Sequence, residues 1–448
     1  MASLFRYAIL SISLLCMSFL IANTVLFHFT VICMEPGDNA VNGTSSFTPL
    51  QESWILSALA VGRLAGTLPA ISMMNHCGLR VTFTAFGMAS GIATLLMPLA
   101  SSEFYYVLAV RFLQGFGVCS VYVAIGIIPV VWGGNKEKGM FVSLLTCSYQ
   151  LAPFLTMPIS GYFCSSSFGW PGVYYLFGTS TIMTFAIFFL VYSNSPHRNR
   201  LSPSKFPITE PEDLTEKKPS VPYKSIFSTP STWGVWMTAL GDALGYQVFI
   251  LYGPIYINKV LHFEVAKTGI LAAIPYLLSI LTKFVGGLFI DKASCCQDHP
   301  KIITFTSVCQ AMMTACFVAL TLISEDTPLL AQAIFTMTIV FSGLHCVGLM
   351  SGSQIVAQQY NHILTSVIAL ENGLVVLFLP TLVAVIAPHH GNAEWATVFY
   401  YIVGVLIVTN LTFVILTKGR QFARELVNIS GQGHILCPPA LKMAPIYT

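Results

Sequence analysis

Charge is what this chain has least of. Only 9% of its 448 residues are Asp, Glu, Lys or Arg, against 55% apolar, too few ionised side chains to solvate a globular surface of that size. A soluble protein is excluded and a membrane-embedded one implied. The net charge of +3 is small and its basic residues sit in short loops, so nucleic acid is excluded as a partner. The twelve cysteines show no CxxC spacing and mostly lie inside apolar runs, which reads as buried, reduced thiols. Cys295 and Cys296, adjacent on a loop, lack supporting ligands for a metal. No glycine cluster is followed by Lys-Ser or Lys-Thr, so there is no phosphate loop. No nucleophile stands at usable spacing from a base, so an enzyme is not expected. Neither cofactor nor metal is called for.

Apolar runs are what the chain has instead. Twelve of them, each about 20 residues or more, fall near 7–33, 51–74, 80–101, 104–132, 139–163, 170–193, 231–257, 266–290, 301–323, 328–357, 362–387 and 394–417. Helices are required, because lipid cannot satisfy a bare backbone and the alternation of barrel strands is absent. The first run is too long for a signal-peptide core. Between the sixth and seventh runs lies the one long polar stretch, 194–230, with six prolines before Tyr223 and mixed charges. Such a stretch cannot bury enough surface to fold alone and reads as a tether. The expected fold is therefore an all-α membrane protein of twelve transmembrane helices in two six-helix bundles, 1–193 and 231–417, with a cytoplasmic linker at 194–230 and a cytoplasmic tail at 418–448.

Lysine and arginine favour the cytoplasmic side. With both termini cytoplasmic, sixteen of the twenty-one basic residues fall inside, only Lys259 and Lys267 fall outside, and Arg63, Arg111 and Lys283 remain in the membrane. The same topology places the sequon at Asn42 in the first outer loop, where glycosylation is expected. The halves also repeat: Gly286-Gly287-Leu288-Phe289-Ile290-Asp291-Lys292 closes the second span of its half, and a degraded copy ending in Asn75, Gly78 and Arg80 closes that of the first. A repeat of this kind puts a solute site between the bundles near mid-membrane.

These turns resemble the loop motif of the major facilitator superfamily. Arg111-Phe112-Leu113-Gln114-Gly115, Pro158-Ile159-Ser160-Gly161-Tyr162-Phe163-Cys164, Gly169-Trp170-Pro171, Tyr174-Tyr175-Leu176-Phe177-Gly178, Val221-Pro222-Tyr223-Lys224 and Ala273-Ile274-Pro275-Tyr276-Leu277 are similar, in that order, to the anion carriers of solute carrier family 17. The resemblance implies a proton-, sodium- or potential-coupled carrier of small organic or inorganic anions, with Arg111 on the substrate path. The chain departs from the family at three charged positions, where it has Thr24, Val118 and Asp242.

An ionisable group at mid-bilayer costs about 2.5 to 3.5 kcal/mol, so each one is a candidate for function. Arg111 has the planar fork to hold a carboxylate, and Asn23, Tyr122, Tyr246 and Gln247 are polar groups placed to join it. Asp242 is the candidate for a proton-carrying carboxyl, or else for a permanent salt bridge with Lys283. Arg63 and Glu371 lie in spans that meet across the bundles and suit a gate. His28 and His345 are candidates for a proton role, with hydrogen-bonded packing as the plainer alternative. Asn23, Tyr122, Gln150, Tyr246, Gln247 and Asn372 equally suit helix-to-helix bonding. The expected function is a secondary transporter working by alternating access on a small anion, driven by H+ or Na+ as coupling ion or by membrane potential; a transporter-like solute sensor is the alternative. A monomer in the plasma membrane or a lysosomal or vesicular membrane is expected.

Overall fold

The computed structural model describes residues 2–34, 47–194, 223–292, 298–323, 327–357 and 361–417. Asn42, Cys295, Cys296, most of the tether and the tail lie outside these. The helices are α1 (Ala2–Thr30), α2 (Pro49–Met74), α3 (His76–Ala100), α4 (Phe104–Trp132), α5 (Met140–Ser165), α6 (Gly169–Val191), α7 (Pro230–Ile255), α8 (Val265–Lys292), α9 (Asp298–Leu322), α10 (Pro328–Ala357), α11 (Asn361–Ile386) and α12 (Asn392–Thr417). Eleven are long and apolar enough to cross a membrane. The exception is α7, where Asp242, Gln247 and four glycines dilute the apolar content. It is also a largely buried helix, packed against α1, α10, α11 and α12. A helix shielded from lipid by its neighbours has no need of a uniformly apolar surface.

Local chemistry sets the helix ends. Thr48 and Gln51 form a reciprocal capping box before α2, with Pro49 in its first turn. Two residues into α3 the chain kinks at Gly78 with φ +75°, a conformation costly for any residue with a Cβ. Asn194 fills the space beside it. The Asn194 side-chain oxygen accepts from the Arg80 amide at 2.9 Å, and Arg80 Nε donates to the Phe189 carbonyl at 2.6 Å. The turn that marks the repeat is thus clamped to the end of α6.

α1–α6 and α7–α12 form the two bundles, and the bundles meet through α2 with α11, α5 with α8, and α1 with α7. Where α5 meets α8, a Cβ on Gly161 would lie 3.1 Å from the Gly269 Cα, and one on Gly269 only 2.7 Å from the Met157 carbonyl. Two glycines are what let these backbones approach. Across α2 and α11, Ser57 donates to the Leu377 carbonyl at 2.8 Å, and Ser53 bonds Thr381 at 3.3 Å. Outward-facing apolar side chains such as Leu68, Leu190 and Ile415 are 70 to 77% exposed, as a lipid-facing wall requires.

Two expectations need correction. Cys33 and Cys164 form a disulfide rather than staying reduced, joining the chain just after α1 to the end of α5 on the face where Gly161 meets Gly269. Periodicity puts cysteines in apolar runs but cannot show that two helix ends 131 residues apart in sequence converge. The tether also does not stay unstructured to its end, because Tyr223–Ser228 is helical. Ile226 is buried there with Val235, Trp236 and Leu364, enough apolar contact to dock one short turn.

Candidate functional site

The ionisable side chains inside the membrane fall into three groups. The first is buried in the N-terminal bundle, where its His28 also meets the Ile250 backbone of α7. Arg111 is 0% exposed; its NH1 donates to the Thr24 carbonyl at 2.9 Å and to Gln114 Oε1 at 3.0 Å, and its NH2 lies 3.3 Å from His28 Nε2. Its guanidinium sits 5.2 Å from the centre of the Phe27 ring. An arginine has only donors, so Nε2 of His28 must be the acceptor. Gln114 continues the chain to Thr94 at 3.0 Å, while Asn23 bonds Thr181 at 3.1 Å and Ser90 at 3.4 Å. The expected cationic anchor, together with Asn23 and His28, therefore ties α1, α3, α4 and α6 together and has no surface turned to a cleft in this conformation.

The second group occupies the equivalent helices of the C-terminal bundle. His345 Nδ1 on α10 lies 3.5 Å from Asp242 Oδ1 on α7, and its Nε2 lies 2.9 Å from the Thr238 hydroxyl. Thr238 donates to Gln310 Oε1 on α9, and Gln310 donates to Thr409 on α12 at 3.0 Å. His345 is fully buried; Asp242 keeps 14% of its side chain exposed. The permanent Asp242–Lys283 salt bridge is not formed: Lys283 and Asp242 both lie near Cys346, yet the partner of Asp242 is His345.

The third group stands between the bundles. From the N-terminal side come Arg63 on α2, Tyr122 on α4, and Tyr149 with Gln150 on α5; Tyr122 and Tyr149 have ring centres 6.2 Å apart. From the C-terminal side come Tyr246 and Tyr276, 6.4 Å apart and edge to face, with Ser279 and Lys283 on α8. Tyr246 faces Gln150 across the boundary, Arg63 lies near Tyr149, and Lys283 reaches toward Cys147 of the opposite bundle. Arg63 Nε, Tyr276 Oη and Ser279 Oγ are buried with no hydrogen-bond partner among the described residues. Unspent donors around two half-buried cations are what an anionic solute would satisfy.

Arg63 and Glu371 form no ion pair in this conformation, and Glu371 keeps a buried oxygen without a partner. Gln247 is half-buried on α7, and Asn372 bonds back to the Ile368 carbonyl one turn earlier. Sequence reasoning missed Thr238, Gln310, Gln114 and Tyr149. Thr238 stands one turn before Asp242, a spacing that puts both on one helix face; Gln310 had no such signal, since its partners come from other helices.

Two pseudo-repeated helical bundles with a polar tier between them suit a transporter. The sequence profile of the Major Facilitator Superfamily matches residues 7–370, and the chain belongs to that superfamily, a multi-pass membrane protein. Its relatives are of the kind the motifs resemble. It is 23% identical to the mouse (Mus musculus) sodium-dependent phosphate transport protein 1, across 94% of this chain and 96% of that one. It is 23% identical to human (Homo sapiens) sialin, across 86% and 78%, and 23% identical to zebrafish (Danio rerio) vesicular glutamate transporter 3, across 80% and 64%. In fold it is similar to a bacterial homologue of the human lysosomal transporter Spinster, in an inward-facing and unoccupied conformation, with a TM-score of 0.68 at 15% identity over 94% and 98% of the two chains.

Proposed function

We propose that the protein is a secondary carrier of a small anion, moved by alternating access through the polar tier between the bundles. The observation that carries this reading is the pair of half-buried cations, Arg63 and Lys283, set among Tyr122, Tyr149, Tyr246 and Tyr276 with donors left unbonded. Arg111, spent inside its own bundle, holds the scaffold. Gln247 and Glu371 stand on helices flanking the tier, where Glu371 is placed to pair with Arg63 only after the bundles move. The names of the relatives support an anion such as phosphate or glutamate as solute. We place both termini in the cytoplasm, since the positive loops favour it and the disulfide lies on the opposite, oxidising face.

Uptake by vesicles containing the purified chain, across a panel of inorganic and organic anions with imposed proton, sodium and voltage gradients, tests this. Lys283→Ala and Arg63→Ala should each raise the solute KM at least tenfold. Binding without accumulation against a gradient would mark a sensor and sink the carrier reading.

A further inference from the structure

The two buried networks occupy repeat-related positions, α1, α3, α4 and α6 in one bundle and α7, α9, α10 and α12 in the other, but they are wired differently. Around Arg111 every bond has a fixed donor, and the charge is permanent. In the other bundle the wiring fixes a tautomer. Thr409 donates to the Leu406 carbonyl at 3.1 Å, Gln310 donates to Thr409, and the single hydroxyl proton of Thr238 goes to Gln310. With the Gln310 amide in this orientation the Thr238 oxygen accepts from His345, and Nε2 of His345 carries the hydrogen. Nδ1, the other ring nitrogen, faces Asp242 Oδ1 at 3.5 Å, and neither atom has any other hydrogen-bond partner. An aspartate oxygen and an imidazole lone pair that face each other in a buried site repel unless a proton lies between them.

We infer that Asp242 and His345 form a site for one proton, held between Oδ1 and Nδ1 and entering from the cleft through the partly exposed aspartate. The proton comes from water and returns to it; no other bond changes. Loaded, the site is an aspartic acid beside neutral histidine or an aspartate beside imidazolium, with the same total charge. Empty, it carries one negative charge. The neighbouring elements present Lys283 from α8, Cys309 from α9, Cys346 from α10 and Tyr246 from α7 itself, with uncharged Thr409 from α12. His28 on α1 is engaged by Arg111, and Glu371 is the acid on α11. The further step, that this proton drives the solute, rests on the carrier reading above; the site itself does not.

The test is a titration of the purified full-length chain in detergent, without solute, in which a pH-indicator dye counts protons released between acid and alkaline conditions. Wild type should release one proton per chain more than Asp242→Asn, and His345→Gln, which keeps the carboxyl, should release its proton at a midpoint shifted by at least one pH unit. Thr238→Val, which frees His345 to exchange tautomers, should keep the count and move the midpoint by at least one pH unit. Equal counts in wild type and Asp242→Asn, or an unmoved midpoint in Thr238→Val, would overturn the site. Should the Asp242 variant fail to fold, infrared difference spectra of wild type labelled at aspartate and histidine give the answer: a pH-dependent band from either residue, shifted or lost in His345→Gln, supports the site, and no such band sinks it. Uptake lost with the titration intact rejects the carrier reading alone; uptake intact with the titration absent rejects the proton site alone.

Discussion

Arg111 and Asp242 meet the cost of charge in the bilayer in different ways. Arg111 spends its two terminal nitrogens on a carbonyl, an amide and an imidazole, while its Nε has no partner among the described residues. Truncating it leaves those neutral acceptors buried and unpaired, so Arg111→Ala should lose about 1–3 kcal/mol of stability, the scale for one unsatisfied buried polar group. A lowered Tm and poor yield would show it, and Arg111→Lys should not rescue either, because a point charge cannot replace the planar fork. His390 offers a second test, outside the spans. It stacks on Trp395 with ring centres 6.0 Å apart. Burial pushes its pKa below the usual histidine value, Glu394 opposes that shift, and Lys259 and His389 add to it. The folded chain then resists a proton that the unfolded chain accepts. Stability should be full at neutral pH and fall as pH drops through about 6.5, the ordinary histidine value, toward the lower folded value. Tm measured against pH should show that loss in wild type and a shallower one in His390→Asn.

At the scale of helices, glycine decides the close contacts. Gly78→Ala forces a Cβ into a left-handed turn and against Asn194, and should cost about 1–2 kcal/mol, read as a fall in Tm. At the crossing of α5 and α8, Gly161→Val or Gly269→Val pushes the backbones apart on the disulfide face. Cysteine labels placed near Met157 should then react faster from that side; unchanged labelling would mean that this contact does not close the cleft. The apolar runs announced eleven of these helices plainly, and the polar residues that weaken α7 were visible too. That α7 runs through the middle of its bundle was not visible, because burial of a helix depends on its neighbours.

For the molecule as a whole, the disulfide closes a loop across most of the N-terminal bundle. Removing it with Cys33→Ser should cost about 2–5 kcal/mol, measurable as a lowered Tm that reductant reproduces in wild type. Alternating access requires the bundles to rock about the tier, so a cysteine at Tyr122, already 39% exposed, should change its labelling rate when a transported anion is added. Such a shift can arise only if solute binds the two states with different affinity.

The sequence by itself determined the membrane environment, the helix count, the division into two bundles and the superfamily, because these follow from hydropathy, chain order and ordered motifs that act along the chain. It also named the charges. Which of them face each other was decided only by the tertiary structure: Arg111 turns inward, Asp242 meets His345 rather than Lys283, and Cys33 meets Cys164. Those pairings join helices far apart in sequence, and their energies depend on distance, burial and the direction of each hydrogen bond, none of which exists until the bundles are packed.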